Sequence, residues 1–171
     1  MTSSIYPIPG PWKGQLVILA RPRGGDWLDD EMRRWRSAGI DMVVSLLDPE
    51  EQEELGLTEE CRAAERQGIR CLSFSILDRS VPASLAGTAA LLAELRDAVE
   101  AGKSVGVHCR QGIGRSSLIA SGVLMTSGVE AGAALERVAT ARGAAVPDTP
   151  EQRAWLEYVL AEHLAVARAN S

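Results

Sequence analysis

The chain alternates short apolar runs with longer segments in which apolar residues recur every three or four positions, the pattern of strands followed by helices. Residues 15–20 form an apolar run of strand length, closed by the turn-rich Arg21-Pro22-Arg23-Gly24-Gly25, with Asp26 placed to cap a helix. Trp27, Leu28, Met32 and Trp35 fall on one face of residues 27–38, and Gly39 stops that helix before a strand over 41–47. Residues 50–67 are acidic and then mixed, with Leu55, Leu57, Cys61 and Ala64 as their apolar positions, so a solvated, broken helix ending at Gly68 is expected. A strand over 69–76 and a loop follow, and Pro82 suits the first turn of a helix that runs to Ala101 with Leu85, Ala89, Leu92, Leu95 and Val99 at helical spacing.

Residues 104–108 are rich in Val and apolar on both faces, as in a buried central strand. Residues 114–127 are small or apolar nearly all round, so this helix should be enclosed by others. Two further helices are expected over 130–142 and 150–168, the last with Trp155, Leu156, Val159, Leu160 and Leu164 on one side. Residues 1–14, with Pro7, Pro9, Pro11, Gly10 and Gly14, oppose regular structure and suggest an extended arm over a single domain spanning 15–171. Strands alternating with helices, then helices alone, predict an α/β fold: a mostly parallel central sheet flanked by helices on both faces, with a helical C-terminal half.

Composition narrows the function. At 171 residues, with 46% hydrophobic and 24% charged residues, the chain has the balance of one globular domain. A formal charge of −5 argues against nucleic acid as a partner, because such binding needs a basic face. The start shows neither the basic nor the apolar region of a signal peptide, and no apolar run reaches membrane-spanning length, which leads to the expectation of a cytoplasmic protein with no membrane partner. Cys61, Cys71 and Cys109 show no paired C-x-x-C spacing, so three free thiols and no structural metal site are expected.

The chemistry gathers at residues 108–116. Cys109 precedes Arg115 by six positions, a spacing that chance alone produces readily in a chain this rich in Arg. The setting is more telling: a buried Val-rich strand before the pair, an apolar helix after it, and Gly112 and Gly114 between. Glycines allow successive backbone N–H groups to turn inward, and the following helix aims its positive end at the same spot, which makes an oxyanion cradle. A neighbouring Arg and a helix N-terminus also favour the thiolate, the nucleophilic form of cysteine. Arg115 offers a planar fork that fits two oxygens of a phosphoryl group, in a geometry that Lys cannot reproduce.

The run His108-Cys109-Arg110-Gln111-Gly112-Ile113-Gly114-Arg115-Ser116 resembles the signature of the cysteine-based protein tyrosine and dual-specificity phosphatases: His-Cys, five residues, Arg, then Ser or Thr. The resemblance extends to the Asp78 loop and to Pro147-Asp148-Thr149-Pro150-Glu151-Gln152, and the length is similar to the small dual-specificity and kinase-associated type. It implies a phosphocysteine on Cys109, with the loop residues Arg110, Gln111, Gly112, Ile113, Gly114 and Arg115 around the phosphoryl group. It also implies Asp78, 31 residues upstream of the cysteine, as the acid that protonates the leaving oxygen. Ser116 is the implied hydroxyl that hydrogen-bonds the sulfur, and His108 the residue that orders the loop. No metal or other cofactor is called for.

Other readings remain beside these. Asp48 is the rival acid, but it follows an earlier strand and precedes Pro49. His108 and Cys109 are adjacent on a strand and should point to opposite faces, which argues against a Cys–His base pair, while His163 reads as solvated. Gln152 either completes a helix capping box with Thr149 or orients the hydrolytic water, as a family Gln does. Cys61 or Cys71 is a candidate for a protective disulfide with an oxidised Cys109. A rhodanese-like sulfurtransferase and a silent phospho-binding module are the competing functions. The favoured partner is a phosphorylated protein rather than a phosphorylated small molecule or lipid.

Overall fold

Five short strands build the sheet that positions the site, and a computed structural model describes residues 4–171 of the chain; residues 1–3 of the expected arm lie outside the described residues. The strands are β1 (Ile5–Ile8), β2 (Gln15–Leu19), β3 (Met42–Ser45), β4 (Arg70–Ser73) and β5 (Ser104–His108). Their order across the sheet is β1-β2-β5-β3-β4. All neighbours are parallel except β1, which runs antiparallel to β2. The α/β architecture with a mostly parallel sheet is therefore as expected. The strand β1 is not: part of the proline-rich start pairs with β2, and Pro7 is tolerated there because an edge strand has one side with no hydrogen bonds to make.

The helices are α1 (Leu28–Ser37), α2 (Pro49–Glu54), α3 (Glu60–Arg66), α4 (Leu85–Glu100), α5 (Arg115–Thr126), α6 (Ala131–Arg142), α7 (Pro150–Ala154) and α8 (Ala161–Ala169), the last two joined by a π-helical stretch over Trp155–Leu160. They cover both faces of the sheet. Alternation along the strands divides the core into two layers. Leu16, Ile18, Val44, Val105 and Val107 pack toward α4 and α5, whereas Val17, Leu19 and Val43 pack toward Met32 and Trp35 of α1 and Ala63 and Ala64 of α3.

Three local expectations change. Asp26 sits inside a 3₁₀ turn at Gly25–Trp27 rather than at a cap, and Trp27 is 53% exposed with the Arg23 guanidinium over its ring. Helix α4 starts at Leu85 under the Ser84 cap, which leaves Pro82 before the helix instead of in its first turn. The cysteines differ most, because Cys61 and Cys71 form a disulfide with each other and leave Cys109 free. Their Cα atoms lie 5.1 Å apart because α3 packs alongside β4, a distance well suited to a bridge. The expected three free thiols are thus reduced to one, and neither Cys61 nor Cys71 is available as the candidate disulfide partner of Cys109.

Among the described residues, no helix is long and apolar enough to cross a membrane.

Candidate active site

Strand β5 lies between β2 and β3, although β3 and β4 precede it in the chain. The loop that leaves its C-terminal end thus opens where the strand order switches, the usual place for a ligand crevice in such sheets. His108 ends the strand with its carbonyl accepting from Leu46 N–H at 3.0 Å, and the loop then folds over the start of α5. Cys109 belongs to the α4/α5 layer and is 3% exposed. His108 is fully buried and points to the other layer, against the Trp35 ring. The two side chains do separate to opposite faces.

The glycines serve different ends. Gly112 has φ +70°, a conformation that side chains oppose, and from it the backbone N–H donates to Cys109 Sγ at 3.2 Å. Gly114 has φ −84°, but a Cβ there would meet Asp148 Cβ and the Gln152 amide at 3.0 Å, so it is needed for close approach. Gly114 caps α5 without a side-chain bond, which leaves the first N–H groups of that helix to the loop. Arg142 of α6 braces the loop from outside: Nε donates to the Gly112 carbonyl and Nη2 to the Gln111 carbonyl, each at 3.1 Å.

Arg115 is 1% exposed, and its guanidinium is already densely bonded. Nη1 donates to Glu51 Oε2 at 2.6 Å and to the Ile76 carbonyl at 2.8 Å. Nη2 donates to Glu51 Oε1 at 2.8 Å and to Asp78 Oδ1 at 3.1 Å. Nε–H has no protein partner among the described residues. Burial alone would lower the Arg115 pKa, but the bonds from Glu51 and the nearby charges of Cys109, Glu51 and Asp78 raise it above the ordinary arginine value. Burial would likewise raise the Glu51 carboxyl, and the Arg115 hydrogen bonds outweigh that and lower it.

Asp78, Arg79, Cys109, Arg110, Gln111, Ile113, Gly114, Arg115 and Asp148 line one cavity of about 100 Å³. A larger concavity of about 630 Å³ lies against α1 and β1, away from the sulfur. The cations at the small cavity's mouth have acidic neighbours: Arg110 donates to Glu54 at 3.1 Å, and Arg79 lies 3.5 Å from Asp148. The Asp78 carboxylate is 57% exposed. Asp48 lies outside this lining and caps α2 in a capping box with Glu51.

The remaining candidates take varied places. Gln152 forms the capping box with Thr149, and its carboxamide also accepts from Asp148 N–H at 3.1 Å and donates to the Ser80 carbonyl at 3.0 Å. It thereby ties the Asp78 loop to the start of α7. Ser116 Oγ is buried with no hydrogen-bond partner among the described residues, and His163 is half-buried on α8. Sequence reasoning missed Glu51, Glu60 and Arg142. The Asp48-Pro49-Glu50-Glu51 capping pattern was a signal for the position of Glu51 but not for its bond to Arg115. No group of three or more His, Cys, Asp or Glu side chains among the described residues is placed to hold a metal.

A family model described as a polymorphic toxin system DSP-PTPase phosphatase matches residues 18–129, from the end of β2 to just beyond α5. No curated protein matches the sequence. Among solved structures, the kinase-associated phosphatase with its catalytic-site cysteine replaced by serine superposes with a TM-score of 0.87 at 18% identity, covering 96% of this chain and 97% of that one. Tk-PTP in its active form gives a TM-score of 0.74 at 29% identity over 95% and 99% of the two chains. PTPMT1 gives 0.79 at 20% identity over 98% and 100%, and that protein has also been solved in complex with PI(5)P.

Proposed function

From the premise that the chain belongs to the DSP-PTPase phosphatase family, we propose that it hydrolyses phosphoric monoesters through a phosphocysteine on Cys109. The observation that carries this reading is the convergence of Cys109, Arg115 and Asp78 on one cavity at the N-terminus of α5. Residues 15–171 are read as the catalytic domain and residues 1–14 as its N-terminal arm.

Cys109 Sγ attacks phosphorus, an S–P bond forms, and the P–O bond to the leaving group breaks as Asp78 transfers a proton to the departing oxygen. Water then attacks phosphorus, Asp78 takes a proton from it, and the S–P bond breaks to restore the thiolate. The Ser116 hydroxyl is assigned to stabilise the departing sulfur in this second step.

The donors of Arg115 give the sequence a physical trigger. Glu51 occupies one edge of the fork, so two phosphoryl oxygens are best met by Nε–H and Nη2–H on the other edge. The second of these now donates to Asp78. A bound phosphoryl group would take that bond and release the Asp78 carboxyl toward the leaving oxygen.

A phosphorylated protein is the favoured substrate. Acidic partners of Arg110 and Arg79 offset the cations at the cavity mouth, which supports a single phosphate over a polyanionic headgroup. A cytoplasmic setting belongs to the same proposal, and the Cys61–Cys71 disulfide is the feature that a reducing compartment would open. The test is turnover of p-nitrophenyl phosphate in the presence of a chelator: the wild type should be active and Cys109→Ser inactive. Undiminished turnover by Cys109→Ser would remove the mechanism, and thiosulfate sulfurtransferase activity would favour a rhodanese-like enzyme.

A further inference from the structure

Arg142 stands apart from the other arginines around the loop. Arg79, Arg110 and Arg115 each face a carboxylate, whereas Arg142 makes no ion pair among the described residues. Its guanidinium lies instead between the Gln111 and Gly112 carbonyls, which Nη2 and Nε each meet at 3.1 Å, and the ring of Tyr6, whose centroid is 4.3 Å from Cζ. Tyr6 belongs to β1, the strand formed by the proline-rich start of the chain. A cation over an aromatic face is attracted by the quadrupole of the ring, more strongly where water is partly excluded. Both side chains are half-buried.

The two carbonyls matter because of the N–H groups on the same peptide units. A trans peptide is planar and carries its C=O and N–H on opposite sides. The Gln111 carbonyl shares a peptide with the Gly112 N–H, which donates to Cys109 Sγ at 3.2 Å, and the Gly112 carbonyl shares the next one with the Ile113 N–H. Holding both oxygens on Arg142 thus turns both N–H groups away from it, the first of them onto the sulfur. A cation on the carbonyl oxygen also strengthens the N–H of that peptide as a donor, because hydrogen bonds in series polarise one another. The bend that permits this is Gly112, where an added Cβ would lie 3.3 Å from Ile18 Cγ2 and 3.4 Å from Arg142 Nε. Ile18 is the register partner of Tyr6 across the sheet. Arg137 ties the same end of the arm to α6 a second time, donating to the Pro9 carbonyl at 3.3 Å.

We propose that Tyr6 is a positioning residue for the nucleophile: its ring seats the Arg142 guanidinium, which holds the Gln111 and Gly112 carbonyls outward and so keeps the Gly112 N–H on Cys109 Sγ. The proposal rests on the reading of Cys109 as the nucleophile, and it makes the N-terminal strand a support of the active site. The other titratable and charged groups facing the loop are Arg115 of α5, Glu51 and Glu54 of α2, Arg110 of the loop itself, Asp78 and Arg79 of the acid loop, Asp148 before α7, and the His108–Glu60 pair behind β5. None of them is altered by substitution at Tyr6. Tyr6→Leu keeps an apolar side chain on β1 but removes the π face, so the guanidinium loses its seat and the sulfur a fixed donor. A hydrogen bond lost from the thiolate disfavours that form.

The experiment compares wild type, Tyr6→Phe, Tyr6→Leu, Arg142→Met and the Tyr6→Leu/Arg142→Met double variant in the full chain. Its readouts are the iodoacetamide alkylation rate of Cys109, the free cysteine, and kcat/KM for p-nitrophenyl phosphate, each against pH. Methionine keeps the length of the Arg142 stem and can donate to neither carbonyl. In Arg142→Met the acidic limb of the alkylation profile should move to higher pH by about one unit, and in Tyr6→Leu by about half a unit, roughly tenfold and threefold in rate below the limb. In both variants kcat/KM should fall in the same order. Tyr6→Phe keeps the ring and should keep the wild-type profiles, and the double variant should be no worse than Arg142→Met alone, as expected of two residues that act through one contact. Profiles in a folded Tyr6→Leu that superimpose on wild type, a lower plateau with no shift of the limb, a Tyr6→Phe as impaired as Tyr6→Leu, or additive losses in the double variant would overturn the proposal. Should Tyr6→Leu fail to fold, fluorinated phenylalanines at position 6 decide, because fluorine weakens the negative face of the ring at nearly constant shape. A graded shift of the limb with fluorine number is expected, and no shift contradicts the proposal. An inactive Cys109→Ser alongside an unshifted Tyr6→Leu would remove this inference alone, whereas an active Cys109→Ser would remove the underlying reading.

Discussion

The loop at 108–116 and the acidic segment at 48–66 meet at the same guanidinium and the same imidazole, yet they differ in how they announce themselves. The loop has unusual residues at fixed spacing between a strand and a helix. The acidic segment has the composition of a solvated surface, but Glu51 is 7% exposed against Arg115 and Glu60 is 3% exposed against His108. The lesson is that a charged loop of this kind needs counter-charges behind it, and that they come from a part of the chain with no motif of its own. The loop carries the groups proposed to react, and Glu51 of the acidic segment bonds the guanidinium among them.

Substitutions in the two regions should therefore fail differently. On the loop side the largest effect is expected at the leaving group. Asp78→Asn should lower kcat for phenyl phosphate by roughly 10²-fold or more, the usual contribution of a general acid, and should affect p-nitrophenyl phosphate less because its phenolate departs without help. Asp148→Asn should change both much less, because its carboxylate faces Arg79 rather than Arg115. An equal loss for both phenols, or a larger one at Asp148, would reassign the acid.

On the acidic side the effect should appear first in stability. Glu51→Gln removes the buried counter-charge of the Arg115 guanidinium and leaves it only the more exposed Asp78 carboxylate, which should cost about 3–5 kcal/mol in denaturant unfolding at pH 7. The effect should depend on pH in a defined direction. The folded Glu51 carboxyl ionises below its ordinary value of 4.5, so its contribution is fully present above that pH and is lost as pH falls through the lower folded value. The gap in stability between wild type and Glu51→Gln should therefore be constant from neutrality down to about pH 5 and narrow in stronger acid. A constant gap at all pH values would show that packing, not charge, is what the substitution removes.

The smaller of the two expected effects on stability lies at the crosslink. Opening the Cys61–Cys71 disulfide by a double Cys→Ser substitution releases a closure of 10 residues, worth about 2–3 kcal/mol by chain entropy. Melting of the oxidised wild type and of the double variant checks this, and reduced wild type should match the variant.

Periodicity reveals the elements whose burial follows one clear face. Leu28, Met32 and Trp35 of α1, the apolar α5 and the Val-rich β5 are legible for that reason. Elements set by tertiary partners are not. Strand β1 contains Pro7 and exists because β2 offers it an edge, while Trp27 is apolar yet outside the core because the chain turns under it. The site divides along the same line. Cys109, Arg115, Asp78 and Gly112 are marked by spacing and conformation, whereas Glu51 is hidden behind its own capping box. Its Oε2 accepts both the Asp48 N–H at 3.1 Å and Arg115 Nη1 at 2.6 Å, and only the first of these is local in sequence. Arg142, 30 residues past the loop carbonyl it braces, has no local signal either.

The central claim is a covalent phosphoryl group on Cys109, and rapid acid quenching of the enzyme during turnover, followed by peptide mass spectrometry, tests it most directly. The phosphoryl group should be found on the peptide carrying Cys109, should accumulate most with the fast-leaving p-nitrophenyl phosphate, and should be absent from Cys109→Ser. An active enzyme with no phosphoryl adduct at any stage of turnover, or with the adduct on a residue other than Cys109, would contradict the account.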